Sequence, residues 1–178
     1  MEATSRRQDR PMLTGLFRDR DTTEGAYRSL RDRGYSDDDI NVLMSDETRN
    51  KYYADGDSAL SDNKALEGAG TGGAIGGTLG AIIGGIAAIG TNIVMPGLGL
   101  VVWGPIAAAL AGAGAGGLTG GLIGALIGWG IPEEHAKEYE EGIKNGGTLL
   151  GVSPRNDEDA EYFENEWRNN YRGEHVYR

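Results

Sequence analysis

Residues 68–85 read GAGTGGAIGGTLGAIIGG, and residues 112–128 read GAGAGGLTGGLIGALIG. Gly68, Gly72, Gly76, Gly80 and Gly84 recur every four residues in the first stretch, as do Gly112, Gly116, Gly120, Gly124 and Gly128 in the second. Four-residue spacing stacks positions along one helical ridge, so each series is a groove bare of side chains where another backbone approaches closely. In water such a run is a poor helix, at about 1 kcal/mol per glycine relative to alanine. A bilayer or a tight assembly recovers that cost through close packing. These ten glycines are the helix-packing residues the sequence nominates.

Beside the first ridge, Ile75, Leu79, Ile82, Ile86, Ile89 and Ile93 alternate spacings of four and three, an aliphatic stripe that favours helix over strand. Between the stretches, Met95-Pro96-Gly97-Leu98-Gly99 and Gly104-Pro105 stop one helix and start another at Pro105. The two glycine series mirror each other about Leu98, Gly68 pairing with Gly128 and Gly84 with Gly112. An antiparallel helical hairpin bent there sets paired glycines at equal depth. A flexible linker is the rival reading, but linkers combine glycine with serine and polar residues, not with Ile, Leu and Ala.

Working outward, Gly68 to Pro132 contains no Asp, Glu, Lys, Arg or His, whereas the flanks hold all 17 Lys or Arg and all 27 Asp or Glu of the 178-residue chain. A net charge of −10 argues against nucleic-acid binding, since no basic surplus exists to neutralise phosphates. With Cys 0, disulfides, zinc-thiolate sites, iron–sulfur clusters and thiol nucleophiles drop out together. Gly68 to Gly90 would make about 34 Å of helix, enough for a hydrocarbon core of about 30 Å. The arms are only modestly hydrophobic, so they suit a unit that inserts as a hairpin or oligomerises. Trp103 near the bend and Trp129 at the far end are placed to mark two membrane interfaces. Met1 to Arg10 lacks the apolar stretch and cleavage site of a secretory signal, which puts both flanks on the cytoplasmic side of the cytoplasmic membrane. A cytoplasmic soluble assembly is the alternative.

The flanks read as one split α+β domain. Met12 to Phe17 is a strand, Asp21-Thr22-Thr23-Glu24 a helix start with Gly34 closing that helix, and Ile40 to Met44 a second strand. Residues 49–67 form a polar linker, and residues 68–131 the apolar hairpin. Beyond it, Pro132-Glu133-Glu134 opens a helix, Thr148 to Val152 is a strand, Asp157 to Tyr171 a helix with Ala160, Phe163, Trp167 and Tyr171 on one face, and His175 to Tyr177 a terminal strand. Laying Gly15 on Gly151 sets Asp21 on Asp157 and Tyr27 on Phe163, a partial internal repeat. Residues 1–48 and 132–178 thus supply two βαβ halves of a ferredoxin-like, split βαβ sheet of four antiparallel strands, interrupted by the glycine-zipper hairpin.

Thr14-Gly15-Leu16-Phe17-Arg18-Asp19-Arg20-Asp21, with Arg33-Gly34-Tyr35-Ser36-Asp37-Asp38-Asp39-Ile40-Asn41-Val42, resembles the N-terminal unit of bacterial general stress proteins of the heat-induced stress protein domain group. Gly130 to Glu134 and Tyr139 to Gly147 are similar to the segment that follows their glycine-zipper region. The resemblance implies a stress association and a membrane tendency, and no reaction.

Chemical motifs are few. Gly68 to Gly73 and Gly112 to Gly117 each satisfy G-x-G-x-x-G, but neither follows a strand and no acid lies twenty residues on, so nucleotide binding is not expected. Asp37-Asp38-Asp39 and Asp55-Gly56-Asp57 lack the alternating ligands and closing glutamate of a calcium loop and read as solvated turns. His135 and His175 read as surface residues, and no serine, threonine or lysine has a base beside it. The expectation is a non-enzymatic, membrane-associated stress-response or structural protein that self-associates, with itself and a lipid bilayer as partners, or alternatively a soluble homo-oligomer. No cofactor, metal or small-molecule substrate is indicated.

Overall fold

The computed structural model describes residues 11–53, 93–95, 99–107 and 121–178. Six strands form one antiparallel sheet: β1 (Leu13–Phe17), β2 (Ile40–Ser45), β3 (Ile93–Met95), β4 (Leu100–Trp103), β5 (Thr148–Val152) and β6 (Glu174–Tyr177), in the order β3-β4-β2-β5-β1-β6. Both β1 and β2 are antiparallel to β5, so they run the same way with β5 between them. In the same manner β5 and β6 flank β1. The helices are α1 (Arg20–Asp32), α2 (Asp46–Tyr53), α3 (Gly121–Gly128), α4 (Glu133–Lys144) and α5 (Asp157–Asn169).

Strand alternation divides the apolar residues between two faces. Leu13, Val152 and Ile40 share one row across β1, β5 and β2, and belong to the core that α1 and α5 cover with Ala26, Tyr27, Leu30, Phe163 and Trp167. Leu16, Leu149 and Leu43 share a row on the other face, under Ala136, Tyr139 and Ile143 of α4 and Leu122 and Leu126 of α3. The molecule is therefore helix, sheet and helix in three layers.

The helix ends follow from local chemistry. Asp19 caps α1, its carboxylate accepting the Thr22 N–H at 2.9 Å, so the cap lies two residues ahead of Asp21, where the sequence places the helix start. Asn156 caps α5 in the same way through the Asp159 N–H. Matching the two caps sets Leu13 opposite Leu150 in the repeat, one residue away from the overlay of Gly15 on Gly151. The correction has a physical basis: Gly15 lies on the α1/α5 face against Trp167, whereas Gly151 lies on the opposite face against Trp129. Three helices close alike. Gly34, Gly130 and Gly146 have φ of +81°, +92° and +92°, and the residue after each returns its N–H to Leu30, Leu126 and Gly142 respectively.

Two expectations change, one within the uncharged block and one ahead of it. The chain does reverse between Met95 and Leu100, where the glycine mirror sets the bend, but as a β-hairpin: Met95 pairs with Leu100 and Ile93 with Val102. Val101, Val102 and Trp103 have the β-branched and aromatic character that suits a strand, and β4 joins the sheet along β2, from Val42 opposite Trp103 to Ser45 opposite Leu100. The sheet has six strands in place of the expected four, and Ile93 is in a strand. Trp103, expected at a membrane interface, is 1 % exposed beside Tyr27, their ring centroids 5.7 Å apart. A helix does open at Pro105. The second change lies upstream, where α2 occupies the start of the expected 49–67 linker, with Ser45 Oγ accepting the Thr48 N–H at 3.0 Å. Among the described residues no helix is long and apolar enough to cross a membrane.

Candidate functional site

On the α3/α4 face the row next to Leu16, Leu149 and Leu43 changes character. Tyr177, Thr14, Gly151 and Asn41 line up across β6, β1, β5 and β2. Met12 and Ser153 follow two residues farther out on the same side, with Asp39 of the turn before β2 beside them. Small and polar residues cannot support a helix as the leucine row does, so this end of the sheet is left open as a cleft of about 760 Å³. Its walls are Trp129 to Pro132 between α3 and α4, His135 on the first turn of α4, and Pro105 and Ile106 after β4.

Each wall is fixed by contacts to the floor. Asn41, 4 % exposed, accepts the Ile106 N–H through Oδ1 at 2.9 Å and thereby holds the start of the helix at Pro105. Trp129 stands with its benzo edge on Gly151, where a Cβ would come within 2.8 Å of Cη2. Glycine in a strand interior here marks the close approach of a neighbouring group. His135 stacks flat on Tyr177 with centroids 3.4 Å apart. The Tyr177 hydroxyl donates to Glu138 Oε2 at 2.8 Å, and the same oxygen lies 3.2 Å from His175 Nδ1. That bond, with burial and the Glu138 charge, raises the Tyr177 pKa. Behind the stack, buried Tyr139 donates to the His175 carbonyl at 2.5 Å and meets Thr14 Oγ1 at 2.8 Å. Burial drives the Tyr139 pKa up, so the phenol stays protonated as a donor.

Strand β6 reaches this position through an irregularity. Thr14 pairs with Tyr177 but Leu16 with Glu174, leaving one extra residue on β6, and His175 takes φ +48°. Both histidines are therefore more than surface residues: His135 forms a wall, and His175 forms the bulge that aligns Tyr177 with Thr14.

Asp38 and Asp39 sit on the rim. The Asp39 carboxylate is tied to the Ser36 N–H and Oγ, and Asp37 accepts from the Tyr27 hydroxyl and pairs with Arg31 at 3.1 Å. The turn expected at Asp37-Asp38-Asp39 is a single 3-10 turn held by a capping box. No group of three or more His, Asp or Glu suited to a metal occurs among the described residues.

Of the helix-packing glycines, Gly68, Gly72, Gly76, Gly80, Gly84, Gly112, Gly116 and Gly120 lie outside the described residues, as do Asp55-Gly56-Asp57 and both G-x-G-x-x-G stretches. Gly124 and Gly128 lie on α3. Leu122, Ala125 and Leu126 face inward there, while Gly128 and Ile127 are exposed, and a Cβ at Gly128 would meet nothing within 4 Å. The cleft residues Thr14, Asn41, Trp129, Gly151 and Tyr177 escape sequence reasoning because they come from separate segments. Their one local signal is a small or polar residue two positions from Leu16, Leu43 and Leu149 in strands otherwise apolar on that side. Comparison of the chain with protein-family models, curated proteins and solved structures finds no match.

Proposed function

We propose that this is a non-enzymatic structural protein that self-associates through the glycine ridges of its uncharged block, with the charged α+β domain facing outward. The carrying observation is the outer face of α3. In the described part of the second ridge Gly128 and its neighbour Ile127 are exposed, and a Cβ at Gly128 would meet nothing within 4 Å, on a helix without a single charge. A second copy offering the same ridge is the occupant that fits, because two bare grooves permit close backbone approach.

Chain length favours the assembly reading over two membrane spans. Ala107 and Leu122 both belong to the α3/α4 core, and the residues between them would make about 21 Å of helix, less than one crossing of about 30 Å and without a return. Residues 68–92 suffice for one crossing, yet Tyr52 on one side and β3 on the other are tied to the same sheet. The strand order and the two split pairs β1/β2 and β5/β6 support a ferredoxin-like, split βαβ reading of the flanks. By their resemblance to the general stress proteins, such an assembly serves a bacterial stress response.

The test is Gly128→Gln. With open space at that position the fold should hold or gain slightly, whereas a filled ridge should weaken self-association at least about tenfold in sedimentation equilibrium, or about 1.4 kcal/mol. A monomeric wild type, or an oligomer indifferent to the change, counts against the reading. Carbonate washing of membranes supplies the other arm: release of a sized oligomer agrees with assembly, and retention in the bilayer points to lipid insertion.

A further inference from the structure

We propose that the cleft beside α4 binds a small organic cation, an aryl or alkyl ammonium, between Trp129 and the His135–Tyr177 stack. The inference is independent of the self-association through α3.

Size comes first. A concavity of about 760 Å³ falls in the range of small-molecule sites, about 300–1,000 Å³, and has their composition, apolar and aromatic walls over a few fixed polar groups. The aromatic walls stand apart at a useful distance. Gly151, on which Trp129 rests, and Tyr177 are two strands apart in the same row, about 10 Å at the usual strand spacing. Trp129 and Tyr177 thus stand at the two ends of this stretch of floor, and the negative face of an aromatic ring attracts a cation.

Charge selects the sign of the ligand. The rim carries Asp38 and Asp39 against Arg178, while Glu133 on the adjoining first turn of α4 is paired with Lys137 at 2.6 Å. The whole chain is at −10. An anion would meet repulsion from the two rim carboxylates and from the negative charge of the chain, whereas a cation is drawn in by the same field. Since Asp39 is committed to Ser36, exposed Asp38 is the carboxylate free to turn toward a bound ammonium.

The site also shows construction at a cost. Gly151 interrupts a buried strand so that Trp129 can approach, and His175 holds a left-handed backbone that bulges β6 and brings Tyr177 level with Thr14. Strained non-glycine residues concentrate at functional sites, and here the strain positions a wall of the cleft.

Three probes of one ring size test the inference on the full chain: benzyltrimethylammonium, neutral benzyl alcohol and benzenesulfonate, each followed by calorimetry and tryptophan fluorescence. Trp103 and Trp167 are buried away from the cleft, so fluorescence changes report Trp129. Saturable binding of the cation is expected, about tenfold or more tighter than the alcohol, with none of the sulfonate. Asp38→Asn, at an exposed position, should weaken the cation about threefold while thermal stability holds, and Trp129→Leu should abolish the fluorescence response and the heat. Absence of saturation to about 10 mM, equal affinity for the three probes, preference for the sulfonate, or cation binding indifferent to Asp38→Asn would each overturn the assignment. Should Trp129→Leu unfold, the Asp38→Asn comparison and the probe series decide alone.

Discussion

Asp159 shows how one carboxylate joins two halves of the chain. It occupies the first turn of α5, is 6 % exposed, and accepts from the Tyr35 hydroxyl at 2.6 Å, Arg33 Nε at 2.7 Å and Arg155 Nε at 3.3 Å. Arg33 follows α1, so the cluster ties the end of that helix to the start of α5. Burial pushes the Asp159 pKa up, but the Tyr35 and Arg33 bonds and the two guanidinium charges outweigh it and leave the group below the usual carboxylate range. A lowered folded pKa means that its stabilisation is complete above the unfolded value of about 4 and is lost as pH falls through the folded value. Asp159→Asn should cost about 2–3 kcal/mol in urea unfolding at neutral pH. The gap from wild type should narrow below about pH 4, and a gap independent of pH would show that the charge is not what matters. In the sequence Asp159 is one of three acids opening a helix, and its role appears only once α1 and α5 lie side by side.

Elements were legible wherever local chemistry decides them. Thr148–Val152 matches its expected bounds, Gly34 and Gly146 stop their helices, and Ala160, Phe163 and Trp167 face the core from α5. The uncharged block was not legible in the same way, because glycine periodicity outweighed the local β character of residues 100–103. Gly104 is where this hairpin meets the rest of the sheet. It has φ +100°, and a Cβ there would run into the Ile40 carbonyl oxygen and Asn41 Cα. Gly99, at φ +61°, has nothing within 4 Å. Gly104→Ala should therefore cost about 2 kcal/mol or more and Gly99→Ala about 1 kcal/mol, both read from thermal or urea unfolding. Equal costs would mean that backbone conformation, not collision, makes Gly104 necessary. The cleft should respond to Gly104→Ala as well, because Asn41, which would have to shift, holds Ile106 in its wall.

At the scale of the whole molecule, charge segregation in the sequence suggests a polar domain carrying a separable apolar insert, and the packing divides that insert differently. Val101 and Trp103 lie in the core under α1 and α5, and Leu100, Val102, Ile106, Leu122, Leu126 and Ile131 make up much of the core under α4. An uncharged run reads alike in sequence whether it faces lipid, a second copy or its own sheet, so hydropathy could not separate residues 100–107 and 121–131 from the remainder. Two replacements distinguish the arrangements. Exchanging residues 54–92 for a flexible linker of about fifteen residues keeps every described residue of both cores, and the product should retain near-ultraviolet dichroism and a single cooperative urea transition. Exchanging residues 68–130 removes β4 and α3, exposes Leu16, Leu43 and Leu149 along one flank of α4, and should abolish cooperative unfolding or drive aggregation through bare apolar surface. The first product keeps residues 93–130 and the second keeps the polar residues 54–67 instead, so a folded, cooperative product from the longer exchange would show that the charged flanks form a complete domain and that β4 and α3 merely rest on it.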